Sequence, residues 1–268
     1  MIRVVVTGVA GRMGQRLAAL TIEAEGLELV GGVEAPGHAA GGSPLSELVS
    51  GSAAAGDIAT DLAAVIGAAD VVIAFTTPSA TLEHAAVCAH HGRALVVGTT
   101  GMNGEELAQF KASVDPIACV FAPNFSTAMN VLFSLVEQAA GILGDEYDVE
   151  VVEAHHRHKV DAPSGSALQL AERAARGLER NLDEVVVHGR EGVVGARTRK
   201  EIGMHALRLG DLAGDHSVFF GAAGEYLELR HHATSRDAFA LGALRAVRFV
   251  AGAAAGLYDM GDVLSQAK

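Results

Sequence analysis

Along the first half of the chain, short apolar runs rich in β-branched residues alternate with longer stretches that repeat at helical spacing. Residues 2–6, 27–33, 71–75, 94–97 and 117–121 read as strands, and 13–25, 80–90 and 104–112 as helices between them. Strands apolar on both faces and separated by helices predict a parallel sheet covered on both sides, an α/β fold. Residues 126–143 form a strong helical pattern, with Ser126 a candidate N-cap and Val131, Leu132, Leu135, Val136, Ala139 and Leu143 at i, i+3, i+4 spacing.

The pattern changes beyond residue 148. Strand-like runs at 149–154, 185–188, 204–209, 217–221 and 226–231 surround a single helix near 166–178, which predicts a second α+β domain with an open mixed sheet. Residues 236–256 return to a long Ala/Leu/Val helical pattern, expected to pack back on the first domain. The expected division is 1–126 with 236–268 for the first domain and 127–235 for the second. Segment 35–55, rich in Gly, Ala and Ser, reads as a mobile loop.

Composition narrows the function. A chain of 268 residues, 50% hydrophobic, can fill a real core. Its net charge of -12, with no Lys/Arg stripe, argues against nucleic acid or an anionic membrane as partner. Cys88 and Cys119 are isolated in apolar segments without metal spacing, so reduced thiols and a cytoplasmic location are expected. Position 1 leads straight into a strand and no apolar stretch reaches 18 residues, so neither secretion nor membrane spanning is expected.

The first strand runs into Gly8-Val9-Ala10-Gly11-Arg12-Met13-Gly14, a glycine turn opening a helix, whose N–H groups can hold a pyrophosphate. Glu34 ends the second strand twenty positions after Gly14, where a carboxylate accepts hydrogen bonds from an adenosine ribose. Its neighbour Ala35 offers no guanidinium to a 2′-phosphate, so NADH is expected over NADPH, with NADPH possible should Arg12 or a distant cation compensate. Gly98-Thr99-Thr100-Gly101 and Ala122-Pro123-Asn124-Phe125 close later strands at the ligand-binding edge, where they could meet the nicotinamide ribose and carboxamide; read alone, each fits plain turn chemistry equally well.

Residues 153–167 read EAHHRHKVDAPSGSA. His155, His156, Arg157, His158 and Lys159 gather positive charge in an acidic chain, and cations so close depress one another's pKa. Pro163 then breaks regularity, and Ser164 or Ser166 can cap a helix whose first N–H groups point outward. Cations beside a helix start suit a carboxylate or phosphate. A zinc site would place Lys159 among its ligands, and a solvated basic loop is the plain alternative. His90-His91 ends a helix and suits its dipole, while His231-His232 lies near Arg236, whose contact with a substrate stays open.

With GVAGRMG, FTTP, GTTG, APNFS, EAHHRHKVDAPSGSA, LRLGDLAGDH and HHATSR in place, the sequence resembles the 4-hydroxy-tetrahydrodipicolinate reductase (dihydrodipicolinate reductase) family over nearly its full length. The resemblance implies hydride transfer from NAD(P)H to C4 of a cyclic imine dicarboxylate, with loss of the 4-hydroxyl as water, in diaminopimelate and lysine biosynthesis. It further implies a doubly wound, Rossmann-type dinucleotide-binding domain over 1–126 and 236–268 and a substrate and tetramerisation domain over 127–235, hence a homotetramer. It makes His155 a proton donor or acceptor and Lys159 a second proton donor. His156 would contact substrate, and Gly165 and Ser166 would hold a carboxylate. Gly8, Val9, Ala10, Gly11, Arg12, Met13, Glu34, Gly98, Thr99, Thr100, Ala122, Pro123, Asn124 and Phe125 would bind the dinucleotide. Two departures stand out: Ala35 where many members have Arg, and Ser166 where many have Thr. The rival readings are another two-domain dehydrogenase of amino or keto acids, aspartate dehydrogenase-like, and a non-catalytic dinucleotide sensor.

Overall fold

The computed structural model describes residues 1–52 and 55–265. In chain order the first half holds β1 (Ile2–Thr7), α1 (Arg12–Glu23), β2 (Leu27–Val33), β3 (Val71–Ala74), α2 (Pro78–His90), β4 (Ala94–Val97), α3 (Gly104–Val114) and β5 (Ala118–Phe121). Then follow α4 (Thr127–Leu143), β6 (Asp148–His155), α5 (Gly165–Gly177), α6 (Leu182–Val185), β7 (Val186–His188), β8 (Ile202–Arg208), β9 (Asp215–Ala222) and β10 (Glu225–His232). The chain ends with α7 (Asp237–Val250), β11 (Gly256–Tyr258) and α8 (Met260–Ser265). Two compact units result: unit 1 joins Met1–Thr127 to the segment from Asp237 onward, and unit 2 is Ala128–Arg236.

Unit 1 is a six-stranded parallel sheet in the order β11-β5-β4-β3-β1-β2. Successive residues of β1 serve opposite layers: Val4 and Val6 join Leu17, Ala18, Ala243 and Val247 of α1 and α7, while Val5 joins Ala85, Cys88, Phe110 and Val114 of α2 and α3. That two-sided burial explains why β3 to β5 are unbroken apolar runs. Because β2 and β3 flank β1 on opposite sides, the direction of strand addition reverses there, which opens a crevice at the carboxyl ends of β1 and β3.

Two readings of unit 1 change. The helix expected over 236–256 stops at Val250, and Gly256–Tyr258 becomes a sixth strand on β5; three residues are too few to show a strand period, and the preceding Ala/Gly turn imitates helix composition. Segment 35–55, read as mobile, carries the buried anchors Leu45 and Val49 and pairs Pro44 with Asp57; its residues 53 and 54 lie outside the described residues. Thr127–Glu146 is by length and mean hydropathy apolar enough to cross a membrane, although polar residues such as Asn130, Glu137 and Gln138 interrupt it.

In unit 2 that same helix covers a mixed sheet ordered β10-β9-β6-β8-β7, parallel across β6, β8 and β7 and antiparallel across β6, β9 and β10. Its buried stripe is Met129, Leu132, Phe133, Val136 and Ala140. Val131 and Leu135, expected on that stripe, are 47% and 46% exposed. The helix is apolar around more than one face and the sheet covers only one of them, so spacing alone merged two stripes. With α5, this stripe packs on Val149 and Val151 of β6, Ile202 and Met204 of β8, and Val218 and Phe220 of β9. The opposite sheet face carries Leu207 and Tyr226, 50% and 69% exposed.

A Cβ on Gly14 would lie 2.0 Å from Gly8 O and 2.7 Å from Val9 Cα, so α1 lies against the β1 turn only because no side chain intervenes. Gly14→Ala is expected to cost about 3 kcal/mol, the upper end for an overpacked core, seen as a lower urea midpoint at unchanged slope. A wild-type midpoint would mean that α1 shifts away freely.

Candidate active site

Because all strands of unit 1 run parallel, the turns after β1, β2, β3, β4 and β5 leave the same sheet edge. A cavity of about 670 Å³ opens there at the crevice, lined by Gly8, Ala10 and Gly11 after β1, Glu34 and Ala35 after β2, and Thr76 and Thr77 after β3, with Asp61, Glu83 and His84 further out. Gly8 is left-handed at φ +65, and a Cβ on it would sit 3.0 Å from Thr76 Cγ2. Gly11 precedes α1 without a side-chain cap, and the first turn of α1 holds no acidic residue; both leave that helix start suited to an anion. Glu34 is oriented by its backbone partners, Ala10 N–H donating to Oε2 at 3.0 Å and Ala35 N–H to Oε1 at 2.9 Å. A glycine cradle ending on a helix start, with a fixed carboxylate beyond it, fits a dinucleotide.

The other expected cofactor residues take different places on this edge. Val9 is fully buried, Met13 packs on the core, and Arg12 is exposed at the start of α1. Gly98 is needed for packing, since a Cβ would lie 2.2 Å from the Phe75 ring. Thr99 turns inward, its hydroxyl meeting Thr81 Oγ1 at 2.7 Å and accepting from Thr76 N–H at 3.1 Å, whereas Thr100 is exposed. Ala122, Asn124 and Phe125 are buried and Pro123 is exposed; Asn124 Oδ1 accepts Ser126 N–H at 2.8 Å, and the Phe125 ring lies 5.3 Å from that of Phe75. Thr76 and Thr77 were legible as the FTTP turn, although spacing alone gave them no task.

In unit 2 the period of β6 decides the chemistry. Val149, Val151, Glu153 and His155 all face the core side, so the row changes from apolar to ionisable at its carboxyl end. Register sets Arg208 of β8 beside His155, His216 of β9 beside Glu153, and His231 of β10 beside His216. Glu153 is fully buried. Burial would push its carboxyl up, but the Arg208 guanidinium and His155 outweigh it and hold Glu153 below its ordinary value. His155 Nδ1 lies 2.6 Å from Glu153 Oε2. Burial lowers the pKa of His155, Lys159 and Arg208 add to this, and Glu153 opposes them.

The rest of the basic run surrounds this pair. Lys159 Nζ donates to both Asp161 oxygens at 2.8 Å. His156 is half-buried, its N–H bonded to Leu212 O at 2.9 Å, while Arg157 and His158 are exposed. Of the two cap candidates Ser164 serves: it precedes α5 and its Oγ accepts Ala167 N–H at 3.2 Å. Gly165 and Ser166 form the first turn of that helix. Arg236 is exposed. Glu153, Arg208 and His216 were missed by motif reading, although period two along DVEVVEAH puts Glu153 and His155 on the face of Val149 and Val151.

Comparison with known proteins follows the same outline. Residues 2–125 match the family "Dihydrodipicolinate reductase, N-terminus" and 128–264 match "Dihydrodipicolinate reductase, C-terminus". The chain is 50% identical over 264 residues to a 4-hydroxy-tetrahydrodipicolinate reductase of Anaeromyxobacter sp. (strain Fw109-5), and 47% identical over 264 residues to one of Desulfotalea psychrophila, covering 98% of each partner in both cases. A solved dipicolinate-bound dihydrodipicolinate reductase from Paenisporosarcina sp. TG-14 superposes with TM-score 0.75 at 28% identity, covering 97% of both chains. An aspartate dehydrogenase from Thermotoga maritima shares the fold alone, at 14% identity, 93% of this chain, 96% of that one and TM-score 0.50.

Burial, then the nearby His155 and His231, pushes His216 down to about 3. The unfolded chain therefore takes up a proton below about 6.5 that the folded chain refuses, and stability falls as pH drops through that window, by about 1.4 kcal/mol per pH unit from this one group. His216→Gln is expected to flatten the fall between pH 6 and 4.5, measured by urea unfolding at each pH. An unchanged slope would mean that His216 does not carry it.

Proposed function

For a chain that belongs to the dihydrodipicolinate reductase family, an oxidoreductase of lysine and diaminopimelate biosynthesis that reduces 4-hydroxy-tetrahydrodipicolinate with a nicotinamide dinucleotide, we propose that unit 1 binds the dinucleotide, unit 2 binds the small dicarboxylate, and His155 and Lys159 handle the protons. The observation that carries the assignment is the 2.6 Å pairing of His155 Nδ1 with an ionised, buried Glu153, which makes Nδ1 the donor and leaves Nε2 as the reactive nitrogen.

When bound, the reduced dinucleotide supplies the hydride. As negative charge develops on the ring, His155 in its protonated form delivers a proton through Nε2. Lys159 is poised on Asp161, which is 57% exposed, so an arriving substrate carboxylate can compete for the ammonium and draw it to the reacting ring. Gly165 and Ser166, at the start of a thirteen-residue helix, offer backbone N–H groups and the positive end of its dipole to a carboxylate, and His156 would contact the substrate as well. Dipicolinate, the dicarboxylate named with the solved relative, would occupy the same place.

On the cofactor side, Gly8 to Met13, Glu34, Gly98 to Thr100 and Ala122 to Phe125 would line the dinucleotide's path along the sheet edge. NADH is the preferred cofactor in this reading. Glu34, Asp61 and Glu83 line the cavity, and none of its described lining residues is Lys or Arg, so a 2′-phosphate would meet repulsion. The exposed sheet face bearing Leu207 and Tyr226 supports self-association into a homotetramer. Burial raises the Cys88 thiol to about 12, in keeping with an inert reduced cysteine and a cytoplasmic enzyme.

His155→Asn and Lys159→Met should each lower kcat/KM by roughly 10²- to 10⁴-fold, the usual worth of a general acid, with NADH binding by fluorescence unchanged; near wild-type turnover in both would refute the assignment. For the cofactor, kcat/KM with NADH should exceed that with NADPH by about tenfold or more, the equivalent of 1.4 kcal/mol. Ala35→Arg should narrow the ratio, and a clear NADPH preference in the wild type would overturn this reading of Glu34 and Ala35.

A further inference from the structure

Glu153 touches two parts of the site at once. Its Oε2 accepts from His155 Nδ1 at 2.6 Å and Arg208 Nη1 at 2.8 Å, while its Oε1 accepts from Ser164 N–H at 3.0 Å and Arg208 Nη2 at 2.9 Å. Ser164 is the cap of α5, and its Oγ also meets His216 Nε2 at 3.2 Å. We propose that Glu153 is a positioning residue that fixes the proton-donating face of His155 and the carboxylate-binding start of α5 through its two oxygens, with Arg208 holding both in one plane. The inference deepens the reading of His155, Gly165 and Ser166 given above and rests on it.

The physical case starts from cost. A carboxylate with no exposed surface forfeits its hydration, and a valine continuing the row of Val149 and Val151 would avoid that loss. Four donors compensate, and each is directed: the ring N–H sets which nitrogen of His155 remains available, and the Ser164 N–H sets where the first turn of α5 lies. The groups facing the His155 ring are Glu153 on its own strand, Lys159 in the loop with Asp161 as its partner, Arg208 on β8 and His216 on β9. Lys159 and Arg208 disfavour an imidazolium, while Glu153 is the carboxylate in direct contact with the ring, so removing its charge must make His155 harder to protonate.

Glu153→Gln keeps the shape but turns an amide NH₂ toward two of the four donors, since each oxygen it replaces accepts from two. Three changes are expected together. The turnover number falls about 10²-fold. The descending alkaline limb of the kcat/KM profile moves about one pH unit lower, because the protonated donor is lost earlier. Dipicolinate binding, measured by calorimetry, weakens about tenfold as the α5 start loosens. NADH binding should be unchanged, and Glu153→Gln added to His155→Asn should cost no further turnover. Should Glu153→Gln fail to bind NADH, Arg208→Lys, which breaks the fork and keeps the charge, should show the same three changes in smaller measure. A Glu153→Gln enzyme with wild-type kcat, alkaline limb and dipicolinate affinity overturns the inference while leaving the His155 assignment intact, if His155→Asn is inactive. If His155→Asn is itself fully active, the His155 assignment fails and this inference with it.

Discussion

One ionised carboxylate without exposed surface governs the second unit. Glu153 sits where the core face of β6 stops being apolar, and everything near it is arranged to satisfy its two oxygens: a histidine ring, both ends of an arginine fork and the backbone at a helix cap. Removing any partner leaves charge in a dry site, an imbalance of several kcal/mol. The loop after β6 is held at its start by backbone bonds, His156 N–H to Leu212 O and Arg157 N–H to Gly210 O. The basic side chains around the turn therefore form no single patch: Arg208 of β8 and the ring of His155 bond the carboxylate, Lys159 is paired with Asp161, and Arg157 and His158 face water.

Unit 1 solves a different problem, that of bringing backbone close to an anion, and it does so by omission. Gly8, Gly14 and Gly98 each stand where a Cβ would collide with Thr76, the β1 turn or the Phe75 ring. The crevice between β1 and β3 follows from strand order, and its acidic rim of Glu34, Asp61 and Glu83 comes from three separate loops and helices. Fold supplies the groove, and individual side chains tune which nucleotide it favours.

Much of this could be read from residue order, for reasons that differ by element. Strands buried on both faces announce themselves as unbroken apolar runs, so β3 to β5 were plain, whereas β11 is three residues beside an alanine-rich turn and carries no period. The apolar surface of α4 exceeds what one sheet can cover, and spacing could not say that Leu132 would be inside and Leu135 outside. The glycine turn and the HHRHK run were visible because their chemistry is contiguous in sequence. Arg208 and His216 were not, because they reach Glu153 only through pairing of strands more than fifty residues apart. Thr99 adds a pairing of the same kind: its hydroxyl bonds Thr81 and Thr76 from neighbouring turns, which spacing along the chain does not reveal.

The alternation along β6 has one more consequence. Because side chains change face at every residue, a slip of β6 by a single position would send Glu153 and His155 to the open face and bring Val152 and Ala154 beneath the helices. A misregistered sheet could keep its hydrogen-bond ladder and still be chemically dead. The valines at 149 and 151 thus guard fidelity as well as stability: by demanding the apolar layer under α4 and α5, they index the strand so that the acid and the imidazole arrive together.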